Sequence, residues 1–211
     1  VELCVVETWH HAIPDVRAYD GVIVLGGSPN VDQEKEYPFL KAEKAAIREA
    51  LEKDMPYLGF CLGHQLLADA LGARVGPNFC RSVGFTRGLL TKTGMVHPLF
   101  DSLPSNFPLF KWHAQAVLPP VPKTIQTLVT SSQCEVEAIS VQGRPHVIGL
   151  QFDNHAASVN DAKTWVAGDH AWLSEPPPVD TDRLLADARQ HEALLGEQFN
   201  VLFENYIKFV V

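Results

Sequence analysis

The chain has 211 residues and a formal net charge of -8, with 46% hydrophobic and 20% charged residues. This length suits one α/β domain with a full core, and we expect residues 1–211 to form a single domain. The acidic balance argues against a nucleic-acid-binding face, and no apolar stretch reaches the length of a membrane span. We therefore expect neither nucleic acid nor a membrane as a partner.

The number and spacing of the cysteines indicate the cellular compartment to expect. Four of them lie far apart, without CxxC or Cys/His-finger spacing: Cys4, Cys61, Cys80 and Cys134. A disulfide framework is not expected in a chain of this length, so the predicted location is the reducing cytoplasm. The adjacent pair His10-His11 lies in a predicted loop with no third ligand nearby, and the sequence predicts no metal site.

The first part of the chain contains two predicted strands and a helix. Residues 2–7 are interpreted as a strand, and Val22 to Leu25 form an aliphatic run typical of a strand buried on both faces. The second run ends in Gly26-Gly27, and a glycine pair at the end of a parallel strand brings backbone N–H groups close to a ligand. Pro38 is expected to begin a helix that runs to about Lys53.

The most informative stretch begins at Pro56. A short apolar run predicts a buried strand, which turns abruptly through Gly59, Cys61 and Gly63 and continues with leucines at helical spacing. A residue between two glycines on such a turn projects its side chain above the sheet, as in a nucleophile elbow. A thiol at a helix N-terminus also favours the reactive thiolate. The pattern therefore predicts that Cys61 is a nucleophile.

This stretch resembles a known signature. Gly59-Phe60-Cys61-Leu62-Gly63-His64-Gln65 is similar to the G-x-C-x-G-x-Q motif of class I (triad-type) glutamine amidotransferases. The wider match, from Tyr19 to Phe152, resembles stand-alone GMP-synthase-like members. The resemblance implies an α/β three-layer αβα sandwich with a mostly parallel central sheet, flavodoxin-like and lacking the first βα unit. It also implies no cofactor.

The resemblance further implies partners and residue roles. The partners are L-glutamine or another γ-glutamyl compound, and a separate ammonia-accepting synthetase subunit. Cys61 is then the nucleophile. The N–H groups of Gly27 and Leu62 stabilise the oxyanion. The expected substrate-binding residues are Gly26, Gln65, Gly84 and Phe85.

Two positions depart from the family pattern. Trp112-His113 resembles a family motif, but Gln115 stands where an acidic residue is usual, so we expect His113 to have a structural or pocket-lining role. The family continues Gln-Phe-His-x-Glu after the last core strand. Without a gap, Asp153 replaces that histidine and His155 replaces the glutamate. With a two-residue slip, His155 becomes the base and Ala157 replaces the glutamate.

We take His155 as the provisional base, and Asp153 as the less favoured candidate in an arrangement with swapped roles. The favoured function is hydrolysis of the glutamine amide through a cysteine thioester, which releases ammonia. One alternative is a catalytically degenerate binding or regulatory protein, and another is a thiol hydrolase of a different γ-glutamyl compound. Residues 176–211 are predicted to form a helical C-terminal segment, divided near Gly196.

Overall fold

The structure is a computed structural model that describes residues 2–210. Its strands are β1 (Val22–Val24), β2 (Tyr57–Phe60), β3 (Arg74–Leu90), β4 (Asn106–Leu118), β5 (Ile125–Ser131), β6 (Ala138–Val141) and β7 (Arg144–Leu150). Its α-helices are α1 (Phe39–Glu52), α2 (Leu62–Ala70), α3 (Val159–Gly168), α4 (His170–Leu173) and α5 (Thr181–Ile207). The strands form one seven-stranded sheet in the order β1-β2-β7-β6-β5-β3-β4.

The sheet is mixed. Strands β1, β2 and β7 pair in parallel, while every other pairing is antiparallel. The predicted α/β amidotransferase-like fold is confirmed, but the mostly parallel sheet is corrected to a mixed one. The reason lies partly in the connections, since only two residues, 142–143, join β6 to β7, and a link that short allows antiparallel neighbours alone.

Helices cover both faces of the sheet. Tyr57 and Val147 pack with α1 and α2, whereas their chain neighbours Leu58 and Ile148 pack with the C-terminal half of α5. Successive side chains of a strand point to opposite faces, so unbroken apolar runs such as β2 are buried on both sides. The three-layer arrangement puts the ends of β1, β2 and β7 side by side.

Two of the helix predictions have different outcomes. The predicted helix after Pro38 is confirmed as α1, with Pro38 at its N-cap. The predicted break at Gly196 is wrong, because α5 is continuous over 27 residues. A helical glycine costs about 1 kcal/mol, and the burial of Leu195 and Leu202 on either side outweighs that cost. Within residues 2–210, no helix has the length and apolarity needed to cross a bilayer.

The strand predicted for residues 2–7 is also wrong. These residues have no regular structure, and Leu3 and Val5 are 67% and 84% exposed. A strand forms through hydrogen bonds to a neighbouring strand. In the described part of the chain, β1 pairs with β2 and no strand pairs with residues 2–7.

Candidate active site

The chain reverses direction sharply at Cys61. Strand β2 ends at Phe60, Cys61 has φ 46° and ψ -103°, and α2 begins at Leu62. The Cys61 N–H donates a hydrogen bond to the Leu150 carbonyl of β7, at 2.8 Å. A positive φ is uncommon for a residue with a side chain, and such strain concentrates at functional sites. The predicted strand-turn-helix arrangement around Cys61 is therefore confirmed.

The glycines on either side of Cys61 allow this reversal. A Cβ atom on Gly59 would lie 2.5 Å from the carbonyl carbon and oxygen of Gly63. A Cβ atom on Gly63 would lie 2.2 Å from the carbonyl oxygen of Val24. Both distances are far below van der Waals contact, so the backbones of β1, β2 and α2 approach each other only where side chains are absent.

The glycine pair after β1 lies against the elbow. A Cβ atom on Gly26 would be 3.2 Å from the Cys61 Cβ and 4.0 Å from its Sγ. A Cβ atom on Gly27 would be 3.2 Å from the Leu62 Cδ2. The structure thus brings Gly26 close to the three residues that the sequence predicts for the nucleophile and its oxyanion site, which are Cys61, Gly27 and Leu62.

The Cys61 thiol is buried, with the residue only 9% exposed. Burial raises the pKa of this thiol well above its ordinary value, and the neighbouring Asp153 carboxyl raises it further. The charge of Lys111 acts in the opposite direction, as do the Leu62 N–H and the Gln151 side chain. Burial dominates, so the sulfur is a neutral thiol at pH 7 despite its place at the start of α2.

Asp153 is the ionisable side chain next to this thiol. Its Oδ1 would be 3.7 Å from a Cβ atom on Gly26, the same glycine that lies against Cys61. The residue is 2% exposed, and burial raises the pKa of its carboxyl to about 8, with Lys111 opposing the rise and Glu137 adding to it. The structure therefore places Asp153 beside Cys61, as expected from the alignment without a gap.

His155 lies in a different environment. Its ring packs against Phe60, with 4.3 Å between ring centroids, and against Phe199 of α5, at 6.0 Å. Burial lowers the pKa of this imidazole to about 4, so the ring is neutral at pH 7. This position among aromatic rings favours Asp153 over His155 as the group that meets the thiol.

Asn154 explains why the chain takes this course after β7. Its Oδ1 accepts a hydrogen bond from the Phe110 N–H at 2.8 Å, and its Nδ2 donates to the Pro108 carbonyl at 3.1 Å. The Asp153 N–H also donates to the Phe110 carbonyl, at 2.8 Å. These bonds hold residues 153–154 against β4 and direct the next side chain, His155, towards Phe60.

The predicted substrate-binding residues contact other parts of the protein. The Gln65 Nε2 donates to the Gln115 carbonyl at 3.0 Å and to the Gln151 Oε1 at 3.1 Å, which uses both of its hydrogens. Gly84 has φ 93°, and its neighbour Phe85 stacks on His191 of α5, with 5.1 Å between centroids. The roles of these residues in glutamine binding stay predictions.

A buried ion pair near the site was not predicted from the sequence. Lys111 of β4 and Glu137, just before β6, are both fully buried and form a salt bridge. Lys111 shifts the pKa values of both Cys61 and Asp153 downward. The available signal was a lysine inside the otherwise apolar run of β4, which is unusual unless the charge is paired.

The raised pKa of Asp153 predicts how stability depends on pH. Between about pH 4 and pH 8 the folded protein keeps a proton on Asp153 that the unfolded chain has released, so a rise in pH favours unfolding. Relative to Asp153→Asn, the wild type should lose about 3 kcal/mol of unfolding free energy between about pH 5 and pH 7. Urea unfolding of both proteins measures this difference, and parallel pH curves would contradict the raised pKa.

Comparison with known proteins identifies the class. The family profile described as "Glutamine amidotransferase class-I" matches residues 2–155. This match covers most of the chain, and its residues include the elbow, the Gly26-Gly27 loop and Asp153. The chain belongs to the class I glutamine amidotransferase family, which acts on the amide of glutamine.

Curated relatives include components of GMP synthases. The chain is 32% identical over 135 residues to a subunit of the glutamine-hydrolyzing GMP synthase of Methanocaldococcus jannaschii, in an alignment that covers 64% of each chain. It is 36% identical over 150 residues to the corresponding subunit of Haloarcula marismortui, in an alignment that covers 71% of each chain. The chain spans 64% of the first relative and 23% of the GMP synthase of Thermomicrobium roseum.

Solved structures agree with the fold. A glutamine amidotransferase from Thermotoga maritima superposes with a TM-score of 0.77 at 28% identity, covering 89% of this chain and 77% of that one. A glutamine amidotransferase from Methylobacillus flagellatus superposes with a TM-score of 0.78 at 22% identity, covering 93% and 80%. At 22% identity, the similarity to the Methylobacillus flagellatus protein concerns the fold alone.

Proposed function

We propose that this protein hydrolyses the amide of L-glutamine with Cys61 as the nucleophile and Asp153 as the proton acceptor. The observation that carries the proposal is the position of Asp153, beside the thiol at the strained turn between β2 and α2. A carboxylate in that position can accept a thiol proton, which is the task of the family's histidine.

The reaction is a two-step acyl transfer. The Cys61 sulfur attacks the glutamine amide carbon while the thiol proton passes to the Asp153 carboxylate. The N–H groups of Leu62 and Gly27 stabilise the oxyanion. The C–N bond then breaks as Asp153 returns the proton to the leaving nitrogen, which departs as ammonia. Water, deprotonated by Asp153, hydrolyses the γ-glutamyl thioester to glutamate, and the proton returns to the sulfur.

The protonation states limit the rate. Because the pKa of Asp153 is about 8, only about one tenth of the molecules carry the carboxylate at pH 7. The thiol also holds its proton tightly, since burial raises its pKa. Turnover is therefore slow at neutral pH and increases as Asp153 loses its proton.

A second candidate is a binding or regulatory protein without turnover. The neutral, buried thiol and the position of His155 among aromatic rings favour it. A third candidate is a hydrolase of a γ-glutamyl compound other than glutamine, and comparison of glutamine with γ-glutamyl peptides tests it. Under the favoured function, ammonia leaves to water or to a separate synthetase subunit in the cytoplasm, and residues 1–211 act as one domain with a helical segment at 176–211.

Release of glutamate from L-glutamine tests the proposal. We expect a slow rate that increases about tenfold per pH unit up to about pH 8 and then levels off, because the carboxylate is the active form. Cys61→Ala should abolish the reaction, whereas Cys4→Ser, at an exposed thiol, should leave it unchanged. Equal background rates for the wild type and Cys61→Ala would favour the binding protein. An electrophilic glutamine analogue, followed by mass spectrometry, reports separately whether Cys61 reacts.

A further inference from the structure

A second cluster of reactive side chains includes Glu137 of the buried ion pair near the elbow. His113 of β4, Cys134 of the β5–β6 loop and Glu137 each offer one metal-binding atom, and these three atoms lie within 4.8 Å of one another. We call these residues the three-donor cluster. His113 is 5% exposed, and the other two are fully buried. Buried nitrogen, sulfur and oxygen donors at such distances are unusual outside a metal site or a hydrogen-bonded network.

The hydrogen bonds of His113 leave one nitrogen free to bind a metal. The Nδ1 atom is 2.8 Å from the Gln115 carbonyl, and a carbonyl only accepts, so Nδ1 carries the hydrogen. With the hydrogen on Nδ1, Nε2 is the ring nitrogen that can offer a lone pair to a metal. Across the part of the chain that the structure describes, that buried Nε2 has no hydrogen-bond partner. Metal-binding histidines typically have their other nitrogen held by a carbonyl in this way.

The other two donors are held by Ser131. The Ser131 hydroxyl donates to the Glu137 Oε1 at 2.5 Å and accepts from the N–H groups of Gln133 and Cys134, both at 3.1 Å. The Cys134 thiol makes a long contact of 3.6 Å with the Val136 carbonyl. One side chain thus orients both the loop that carries the sulfur and the carboxylate that faces it.

We propose that the three-donor cluster binds a zinc ion through His113 Nε2, Cys134 Sγ and Glu137, with water in the fourth position. Mixed nitrogen, sulfur and oxygen ligands in a small buried space suit tetrahedral Zn²⁺. With zinc–ligand bonds of about 2.0–2.3 Å, neighbouring donors in a tetrahedron are about 3.5 Å apart. The widest pair here closes by roughly 1 Å on binding, which the β5–β6 loop can provide.

Zinc binding changes the charges inside the protein. The Cys134 thiol loses its proton to water as the Zn–S bond forms. The ion then shares Glu137 with Lys111, which forms a salt bridge with it. The zinc ion adds a charge of +2 and the thiol releases one proton, so the net charge of the protein interior rises by +1.

Cobalt is the probe for this site, because a Co²⁺–thiolate bond gives a charge-transfer absorption that zinc lacks. The full chain, freed of metal with a chelator, should bind one Co²⁺ with this band, and Zn²⁺ should remove the band by displacement. Cys134→Ser should lose the band. Cys61→Ser and Cys4→Ser should keep it, which separates this site from the proposed catalytic thiol. No band in the wild type, or a band that persists in Cys134→Ser, would overturn the proposal.

A second measurement uses only the wild type, so it tests the proposal even if the variants fail to fold. X-ray absorption at the zinc edge should show one sulfur among the ligands, with nitrogen or oxygen in the other positions. Zero or two sulfurs would overturn the three-donor set. Folded His113→Gln, checked by circular dichroism, should bind Zn²⁺ at least tenfold more weakly than the wild type. Affinity equal to the wild type would also contradict the proposal.

Discussion

Replacing Asp153 with histidine is expected to accelerate glutamine hydrolysis at pH 7 by about tenfold, because an imidazole is mostly unprotonated at that pH and only about one tenth of the wild-type carboxyl groups are ionised. At pH 7 the wild-type carboxyl is mostly protonated, because burial raises its pKa to about 8. An imidazole has an ordinary pKa of about 6.5 and is a competent base near neutral pH. The backbone at 153 already directs its side chain to the space beside Gly26 and Cys61.

Matched variants isolate the effect of the base. Asp153→Asn keeps the shape of the side chain without its ionisation and should lie below the wild type, with no rise towards pH 8. His155→Phe preserves the aromatic packing with Phe60 and Phe199 and should leave the wild-type rate unchanged. A large loss in His155→Phe would identify His155 as the base, and no gain in Asp153→His would argue against a catalytic role at position 153.

Replacing Gly63 with alanine is expected to lower the free energy of unfolding by about 3 kcal/mol or more. The added Cβ would lie 2.2 Å from the Val24 carbonyl oxygen and 2.9 Å from its carbon. Both are backbone atoms of a strand in the sheet, so no side chain can rotate away to relieve the clash. Denaturant unfolding measures this loss of stability. The added methyl group should also disturb the elbow that holds Cys61.

The control for this prediction is another helical glycine. Outside the neighbouring backbone of its own helix, no atom of residues 2–210 lies within 4 Å of a Cβ at Gly196, in α5. Alanine there should raise the free energy of unfolding by about 0.5–1 kcal/mol, through helix propensity alone. Equal stabilities for Gly63→Ala and Gly196→Ala would show that the approach of α2 to β1 is looser than the structure describes.

The local patterns of the chain predicted much of the fold. The aliphatic run from Val22 and the apolar stretch from Pro56 correctly predicted β1 and β2, because buried strands need unbroken apolar sequence. Residues 2–7 have a similar pattern and form no strand, since pairing depends on a neighbour that periodicity does not report. For the same reason the sequence did not predict the mixed sheet.

Part of the candidate site was likewise predicted from the sequence, and part was not. The sequence correctly predicted that Gly26, Gly27, Cys61 and Leu62 lie together, because motif and glycine spacing specify that turn. It did not predict the ion pair of Lys111 with Glu137. Those residues are 26 positions apart in the chain, on β4 and just before β6, and these two strands are not neighbours in the sheet, so the contact is a tertiary one that strand patterns do not report.

By itself, the sequence determined the family and the strained turn at Cys61. Both depend on a few consecutive residues, and close backbone contacts allow only glycine at positions 59 and 63. Only the tertiary structure decided which side chain after β7 meets the thiol. Asn154 binds the backbone of Phe110, 44 residues away, and that contact turns Asp153 towards Cys61 and His155 towards Phe60. Long-range hydrogen bonds of this kind leave no trace in local spacing.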